Sequence, residues 1–186
     1  MTDQSTEGFF SPFLRRQRFR AAKPYLNGRV LDVGCGTGGL AEFIVPESYF
    51  GVDIDEECLK RSKQKYPDYF FQKDWPAISE KFDTVVSLAV IEHVSDPAVF
   101  LGLMSKHLKN DTNAQIVITT PNPLGRWIHE AGSAMGLFSK HACEEHKILL
   151  DRKKLCAIGE RTGLTMVHYT HFLSGANQLA VFKTVY

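Results

Sequence analysis

The chain has 186 residues, of which 44% are hydrophobic, and its 22 basic side chains almost balance its 21 acidic ones. This length and apolar fraction suit one domain with its own core, so residues 1–186 are expected to form a single domain. A net charge of +1 offers no general attraction for nucleic acid or for an anionic membrane. We therefore expect no nucleic acid partner, and no membrane span either, since no apolar run approaches the roughly 18 residues a span needs.

The cysteines are scattered along the chain, at Cys35, Cys58, Cys143 and Cys156. They lack the close pairing that is typical of a zinc site or a redox dithiol, which indicates reduced thiols. The first ten residues carry acids where a secretory signal needs positive charge. The sequence therefore predicts a cytoplasmic protein.

The predicted elements begin with an N-terminal helix within residues 1–27, which ends at the stop signal Asn27-Gly28. Strand-like runs and helical patterns then alternate: RVLDV, a helix from Gly38, YFGVD, a helix from Asp55, YFFQ, FDTVVSL, a helix from Pro97, and AQIVITT. This alternation predicts a parallel sheet with helices on both faces. The last two runs, TMVHYTHFL and NQLAVFKTV, are joined without a helix, which predicts a hairpin at one edge of the sheet.

Basic residues punctuate the N-terminal helix, at Arg15, Arg16, Arg18, Arg20 and Lys23. They spread around the helix instead of forming one stripe, so they are expected to be a solvated face.

A glycine-rich turn follows the first predicted strand in the string VLDVGCGTGGL. Gly34 and Gly36 allow close approach of a ligand to the backbone, and free amides at a helix start favour a carboxylate or phosphate. Asp32 is placed to balance an ammonium group. Asp53, at the end of the next strand, would accept hydrogen bonds from ribose hydroxyls. The same spacing fits nicotinamide cofactors, since Gly34, Gly36 and Gly39 satisfy GxGxxG, so these residues alone leave the cofactor class open.

The following motifs are more specific. DVGCGTG, GVDID, FQKDW, FDTVVSLAVIEHVSDP and TPNP occur in this order between about Gly28 and Phe182. In this order and spacing the sequence resembles the class I S-adenosylmethionine (SAM)-dependent methyltransferases, particularly the small-molecule branch with the ubiquinone-biosynthesis O-methyltransferases. The resemblance implies a Rossmann-like α/β fold with seven strands in the order 3-2-1-4-5-7-6 and the seventh antiparallel. Such a fold accounts for the terminal hairpin, which a nicotinamide-binding domain would not predict.

The resemblance also implies a role for single residues in holding SAM. Gly34 and Gly36 would contact its methionine portion, Asp53 its ribose and Ile54 the adenine face. Three further expected contacts are the Asp74 carboxylate with the adenine amino group, the Trp75 amide with adenine, and the backbone near Leu88 with the methionine amino group.

The expected chemistry is methyl transfer to a small molecule, at oxygen in preference to carbon or nitrogen. Positioning supplies much of the rate, and His93 is a candidate general base, with a structural cap formed by Glu92-His93 as the alternative. Ubiquinone-pathway relatives carry a Glu-x-x-Glu-His metal set in this region. Ala89 stands here in place of its first glutamate, so we expect no metal.

Residues 121–147 form the long irregular segment of the chain and are predicted to be a helical lid over the acceptor. His146 is the preferred acceptor contact, although the lid histidines can equally be solvated. An apolar pocket is expected from Trp127, Ile128, Met135, Leu137 and Phe138, whose alternative role is to pack the lid onto the core. Two other functions stay open from the residues: a non-catalytic SAM-binding regulatory or scaffold protein, and a nicotinamide-dependent oxidoreductase.

Overall fold

The structure is a computed structural model that describes residues 11–73, 79–123 and 148–185. In these ranges the helices are α1 (Ser11–Ala22), α2 (Glu56–Lys65), α3 (Pro97–Ser105) and α4 (Arg152–Arg161). The strands are β1 (Val30–Val33), β2 (Tyr49–Val52), β3 (Phe70–Gln72), β4 (Thr84–Leu88), β5 (Gln115–Pro121), β6 (Leu164–Phe172) and β7 (Asn177–Thr184).

The seven strands form one sheet in the order β3-β2-β1-β4-β5-β7-β6. Strands β1 to β5 pair in parallel, while β7 runs antiparallel to both β5 and β6. Both the predicted strand order and the terminal hairpin are thereby confirmed. Every residue of β1 and of β2 is buried, as expected of parallel strands that are covered on both faces.

Helices cover both faces of this sheet. On one face, which we call the α1 face, Phe19 and Ala22 of α1 and Leu59 of α2 pack on a cluster that includes Val117 and Leu179. On the opposite face, α3 and α4 pack on a second cluster, with Phe100, Leu101, Met104 and Leu155 against Leu31, Ile116, Ile118 and Phe182. The two clusters follow from the alternation of side chains along each strand.

Three of the helices begin at an aspartate whose carboxylate accepts hydrogen bonds from the first backbone amides. Asp55 caps α2 and Asp96 caps α3, each accepting two amides, and Asp151 caps α4 through the amide of Lys154. This use of aspartate satisfies amides that have no partner within the helix. The predicted starts near Asp55 and Pro97 are therefore confirmed.

Two parts of the predicted element pattern were wrong. No α-helix starts at Gly38; the chain forms a 3-10 turn over Gly39–Phe43 and another over Pro46–Ser48. Gly38 takes a left-handed conformation (φ 72°), and Pro46 cannot donate an amide, so no regular helix extends between them. Helix α4 was missing from the prediction; it offers few apolar residues and buries mainly Leu155 and Gly159.

The segment predicted as a lid is tied down at both ends, although residues 124–147 lie outside the described part of the chain. The Gln178 side chain donates to the carbonyls of Pro121 (3.0 Å) and Leu150. The amide of Ile148 donates to the Glu92 carbonyl (3.0 Å). Both ends therefore lie at the carboxyl edge of the parallel strands. Among the described helices, none has the length and apolarity to cross a bilayer.

Candidate functional site

The glycine turn links the carboxyl ends of β1 and β2. The amides of Gly34 and Cys35 both donate to the Val52 carbonyl, at 2.9 and 3.0 Å. The amide of Gly36 donates to Oδ2 of Asp53 at 2.7 Å. The amides of Gly34, Cys35 and Gly36 are therefore not free for a ligand, because the adjacent strand end and Asp53 already accept from them.

Gly34 and Gly36 have different reasons to lack a side chain. Both have positive φ angles, 78° and 54°. A Cβ on Gly34 would lie 2.4 Å from Cγ2 of Val90, so packing within the protein requires glycine there. A Cβ on Gly36 would meet no protein atom within 4 Å, so it would project into open space that a ligand can use. Of the two, Gly36 is the position with room for close approach of a ligand.

A cavity of about 200 Å³ lies beside this turn. Four of the predicted cofactor residues line it, which are Asp32, Gly34, Gly36 and Leu88. Arg15 and Arg18 of α1 line it as well. The cavity thus holds an acid and two guanidinium groups, an arrangement that complements a small zwitterion.

Asp32 is the acid of this cavity and is 3% exposed. The Tyr49 hydroxyl donates to its Oδ2 at 2.8 Å. Burial raises the pKa of Asp32 to about 7; the Tyr49 hydrogen bond opposes this rise and the charge of Asp53 adds to it. The Asp32 carboxyl therefore binds its proton more tightly in the folded protein than in the unfolded chain. The free energy of unfolding consequently falls as the pH rises towards 7, because the unfolded chain loses this proton first.

The two arginines of the cavity were not expected there. Arg16, Arg20 and Lys23 are exposed as predicted, but Arg15 and Arg18 are half-buried, which corrects the interpretation of all five as a solvated face. Arg15 donates to the Thr37 hydroxyl at 3.3 Å. Burial lowers the pKa of Arg18, and the Glu92 charge opposes this effect.

A signal for these arginines was present in the sequence. Arg15, Arg18, Phe19 and Ala22 are spaced i, i+3, i+4 and i+7, so they share one side of the helix. Two arginines on the side of a helix that packs against the core indicate that their guanidinium groups bind a polar or charged group there.

Asp53 follows β2 directly and is half-buried. Besides Gly36, the amide of Asp55 donates to it, at 2.9 Å to Oδ1. A carboxylate has about four lone-pair sites, so roughly two remain for ribose hydroxyls. The neighbouring Ile54 is 83% exposed, and its contact with adenine stays a prediction. Asp74 and Trp75 lie outside the described residues, so their roles stay predictions.

The candidate catalytic turn Ile91–His93 follows β4, and its two polar side chains differ in exposure. His93 is exposed, whereas Glu92 is 3% exposed and its Oε2 has no hydrogen-bond partner in the described structure. Ala89, where the metal-binding relatives have glutamate, takes a left-handed conformation (φ 60°) and lines the cavity. His146 and the predicted lid aromatics fall outside the described residues.

Two other observations bear on the choice of site. A wider groove of about 940 Å³ runs beside β3, lined by residues such as Asp68 and Phe70, away from the glycine turn. Within the described ranges, no three histidine, cysteine, aspartate or glutamate side chains gather as metal ligands.

Comparison with known proteins adds a family match. Residues 9–169 match a family model described as a methyltransferase domain. The ubiquinone biosynthesis O-methyltransferase of Aeromonas salmonicida is 24% identical over 172 residues, which are 84% of this chain and 72% of that protein. Four further relatives with the same description match over only 36–45% of their own length.

Matches also extend to proteins with other descriptions. The cyclopropane-fatty-acyl-phospholipid synthase of Escherichia coli K12 is 35% identical over 89 residues, 44% of this chain and 23% of that protein. Among solved structures, magnesium protoporphyrin IX methyltransferase from Synechocystis, with bound S-adenosylhomocysteine (SAH), superposes with a TM-score of 0.70 at 15% identity. The superposition covers 98% of this chain and 90% of that one, and at this identity the likeness concerns the fold.

Proposed function

The chain belongs to the methyltransferase domain family, as a class I member that depends on SAM, and from this premise we propose that it methylates a hydroxyl group of a small molecule. The family match leaves no place for the nicotinamide-dependent alternative. The observation that carries the proposal is the cavity at the glycine turn, with its opposite charges, directly beside Asp53. The description of the relatives as O-methyltransferases supports oxygen as the accepting atom.

The residues of the cavity fit the two ends of SAM. Arg15 and Arg18 suit the carboxylate of its methionine portion, and Asp32 suits the ammonium group. Asp53 has lone pairs for the ribose hydroxyls, and the exposed Ile54 offers an apolar surface for adenine. When bound, SAM supplies a methyl group already activated on a sulfonium. The task of the chain is then to hold the acceptor in line with that methyl group and to exclude water.

His93 is the proposed general base, because it is exposed and lies four residues after Ala89, which lines the cavity beyond the carboxyl end of β4. A neutral imidazole has a ring nitrogen with a free lone pair, which can take a proton from a hydroxyl during transfer. Glu92, in the same turn, is buried, so of the two polar side chains only that of His93 is open to an acceptor. His146 is proposed to contact the acceptor from the lid segment.

The affinity of the protein for SAH is expected to weaken about tenfold from pH 8 to pH 6. Since the pKa of Asp32 is about 7, its carboxylate is largely neutral at pH 6 and no longer balances the SAH ammonium group. Isothermal titration at half-unit pH steps measures the effect. Asp32→Asn should remove the pH dependence, and Tyr49→Phe should move the midpoint to higher pH, because the Tyr49 hydrogen bond lowers the pKa of Asp32. An unchanged midpoint in Tyr49→Phe would argue against this assignment.

Methyl transfer itself is tested with labelled SAM and a panel of phenols and alcohols, each paired with its methyl ether. We expect label in the acceptor and release of SAH with the free hydroxyl compounds and none with the ethers, which have no hydroxyl to methylate. Equal release with both members of each pair, or label on an amine or a carbon atom, would contradict the oxygen assignment. Tight SAH binding without turnover on any acceptor would instead favour the non-catalytic alternative.

A further inference from the structure

Two polar side chains at the carboxyl edge of the sheet are buried without partners. Thr119 of β5 and Asn177 of β7 are each 0% exposed. The Thr119 hydroxyl and both polar atoms of the Asn177 amide have no hydrogen-bond partner in the described structure. Enclosed donors and acceptors that lack partners destabilise a folded chain, so a bound group that satisfies them offers an explanation for their presence.

These two side chains lie on the α1 face of the sheet. Thr119 is two residues from Val117, and Asn177 is two residues from Leu179; both of those apolar residues belong to the cluster beneath α1. Thr119 pairs with Leu179, and Pro121 pairs with Asn177. Thr119 and Asn177 are therefore diagonal neighbours, about 7–8 Å apart, a gap that one small polar group can bridge.

The pair lies next to the proposed cofactor cavity. Thr119 is in register with Leu88, and its carbonyl accepts the amide of Ala89 at 2.9 Å. Leu88 and Ala89 both line the cavity. Neighbouring strands are about 4.8 Å apart. A molecule held at Thr119 would therefore lie close to SAM bound in the cavity that Leu88 and Ala89 line.

Two charged side chains, those of Arg18 and Glu92, also have buried polar atoms without partners in the described ranges. These atoms are Nε of Arg18 and Oε2 of Glu92. Unpartnered hydroxyls occur elsewhere too, at Thr120 and Thr184, so one such atom does not make a site. Thr120 belongs to the opposite face of β5 and Thr184 to the far end of β7.

We propose that Thr119 and Asn177 form the polar end of the acceptor subsite and bind a neutral group that both donates and accepts hydrogen bonds. This inference rests on the proposed methyltransferase function. The Asn177 amide presents two donor hydrogens and an acceptor oxygen, and the Thr119 hydroxyl presents both. A hydroxyl or a primary amide of the acceptor satisfies both residues. A carboxylate cannot donate, and an ammonium group cannot accept, so charged ends are excluded from this subsite.

The test follows fragment binding to the SAH-saturated protein by amide chemical shifts. Phenol, benzyl alcohol and benzamide are compared with anisole, benzyl methyl ether and N,N-dimethylbenzamide, and with benzoate and benzylamine. The proteins are the wild type, Thr119→Val, Asn177→Leu and Thr120→Val. Thr120→Val is the matched control, because it removes an equally unpartnered hydroxyl from the adjacent residue on the other face.

We expect the three donor-bearing fragments to bind the wild type and Thr120→Val alike, and to bind Thr119→Val and Asn177→Leu about tenfold more weakly. SAH affinity should be equal in all four proteins. The melting temperature of Thr119→Val, measured without fragments, should be no lower than that of the wild type, because the substitution breaks no hydrogen bond of the Thr119 hydroxyl.

Three results would overturn the subsite while leaving the proposed function intact: donor-bearing fragments that do not bind the wild type, binding that Thr119→Val retains, or a clear drop in the melting temperature of Thr119→Val. If Asn177→Leu does not fold, Thr119→Val decides the matter. Failure of the wild type to bind SAH would overturn the proposed function first, and this inference with it.

Discussion

Replacing Gly34 with alanine should lower the free energy of unfolding by about 2–5 kcal/mol. Gly34 has φ 78°, which strains any residue with a Cβ, and the added Cβ would lie 2.4 Å from Cγ2 of Val90. Valine has few rotamers with which to yield. Urea unfolding of the purified variant measures the loss. We expect SAH binding to weaken as well, since Gly34 and, two residues on, Gly36 line the cavity.

Gly163 provides the matched control for this change. Its φ of 71° is close to that of Gly34, but a Cβ there would meet nothing within 4 Å. Gly163→Ala should therefore show only the cost of backbone strain, about 1–2 kcal/mol. The double variant Gly34→Ala/Val90→Ala should regain part of the difference, because it removes the clashing methyl group. Equal losses for the two glycine variants would show that the contact with Val90 is not what requires Gly34.

Asp53→Ala should weaken SAH binding by about 100-fold, an effect equivalent to one or two hydrogen bonds to a charged group. The carboxylate is proposed to bind the ribose hydroxyls, and it also holds the amides of Gly36 (2.7 Å) and Asp55 (2.9 Å). Its loss therefore removes a ligand contact and loosens the turn beside the cavity. Isothermal titration with SAH provides the measurement.

Two further variants separate these effects. Asp111→Ala makes the same change in an exposed turn, where Asp111 accepts the amide of Asn113, and should leave SAH affinity unchanged. Asp53→Asn keeps one acceptor oxygen and should give an intermediate affinity. If Asp53→Ala binds SAH like the wild type, Asp53 holds only the backbone and the ribose contact must be assigned elsewhere.

The sheet was predictable because its information is local. Runs such as VLDV and QIVITT are short and rich in apolar and β-branched residues, which is typical of covered parallel strands, and the final hairpin lacks an intervening helix. The position of Asp53 was predictable for the same reason, since a residue that directly follows a parallel strand lies at the carboxyl edge of the sheet; its role in binding ribose stays a prediction. The motif order then supplied the strand order.

Features that depend on distant parts of the chain were not predictable in the same way. The hydrogen bond between the Gly36 amide and Asp53 joins residues on two different strand ends. The helical spacing indicates that Arg15 and Arg18 share the core side of α1, but their place beside the glycine turn depends on how α1 docks on the sheet. The alignment of Thr119 with Asn177 requires the register of β5 against β7, which the composition of neither strand determines.

The Gln178 side chain, which holds the carbonyls of Pro121 and Leu150, has a consequence for how the acceptor preference of such a protein can diverge. It fixes the distance between the two ends of the intervening segment, whatever residues connect them. With the ends fixed, doubling the length of a flexible connection costs only about 0.6 kcal/mol of closure entropy. Insertions and exchanges between Pro121 and Leu150 therefore cost little folding free energy, and they leave untouched β1, which carries Asp32, and β2, which Asp53 follows. If the predicted lid covers the acceptor, selection can change the acceptor contacts without changing the residues proposed to bind SAM.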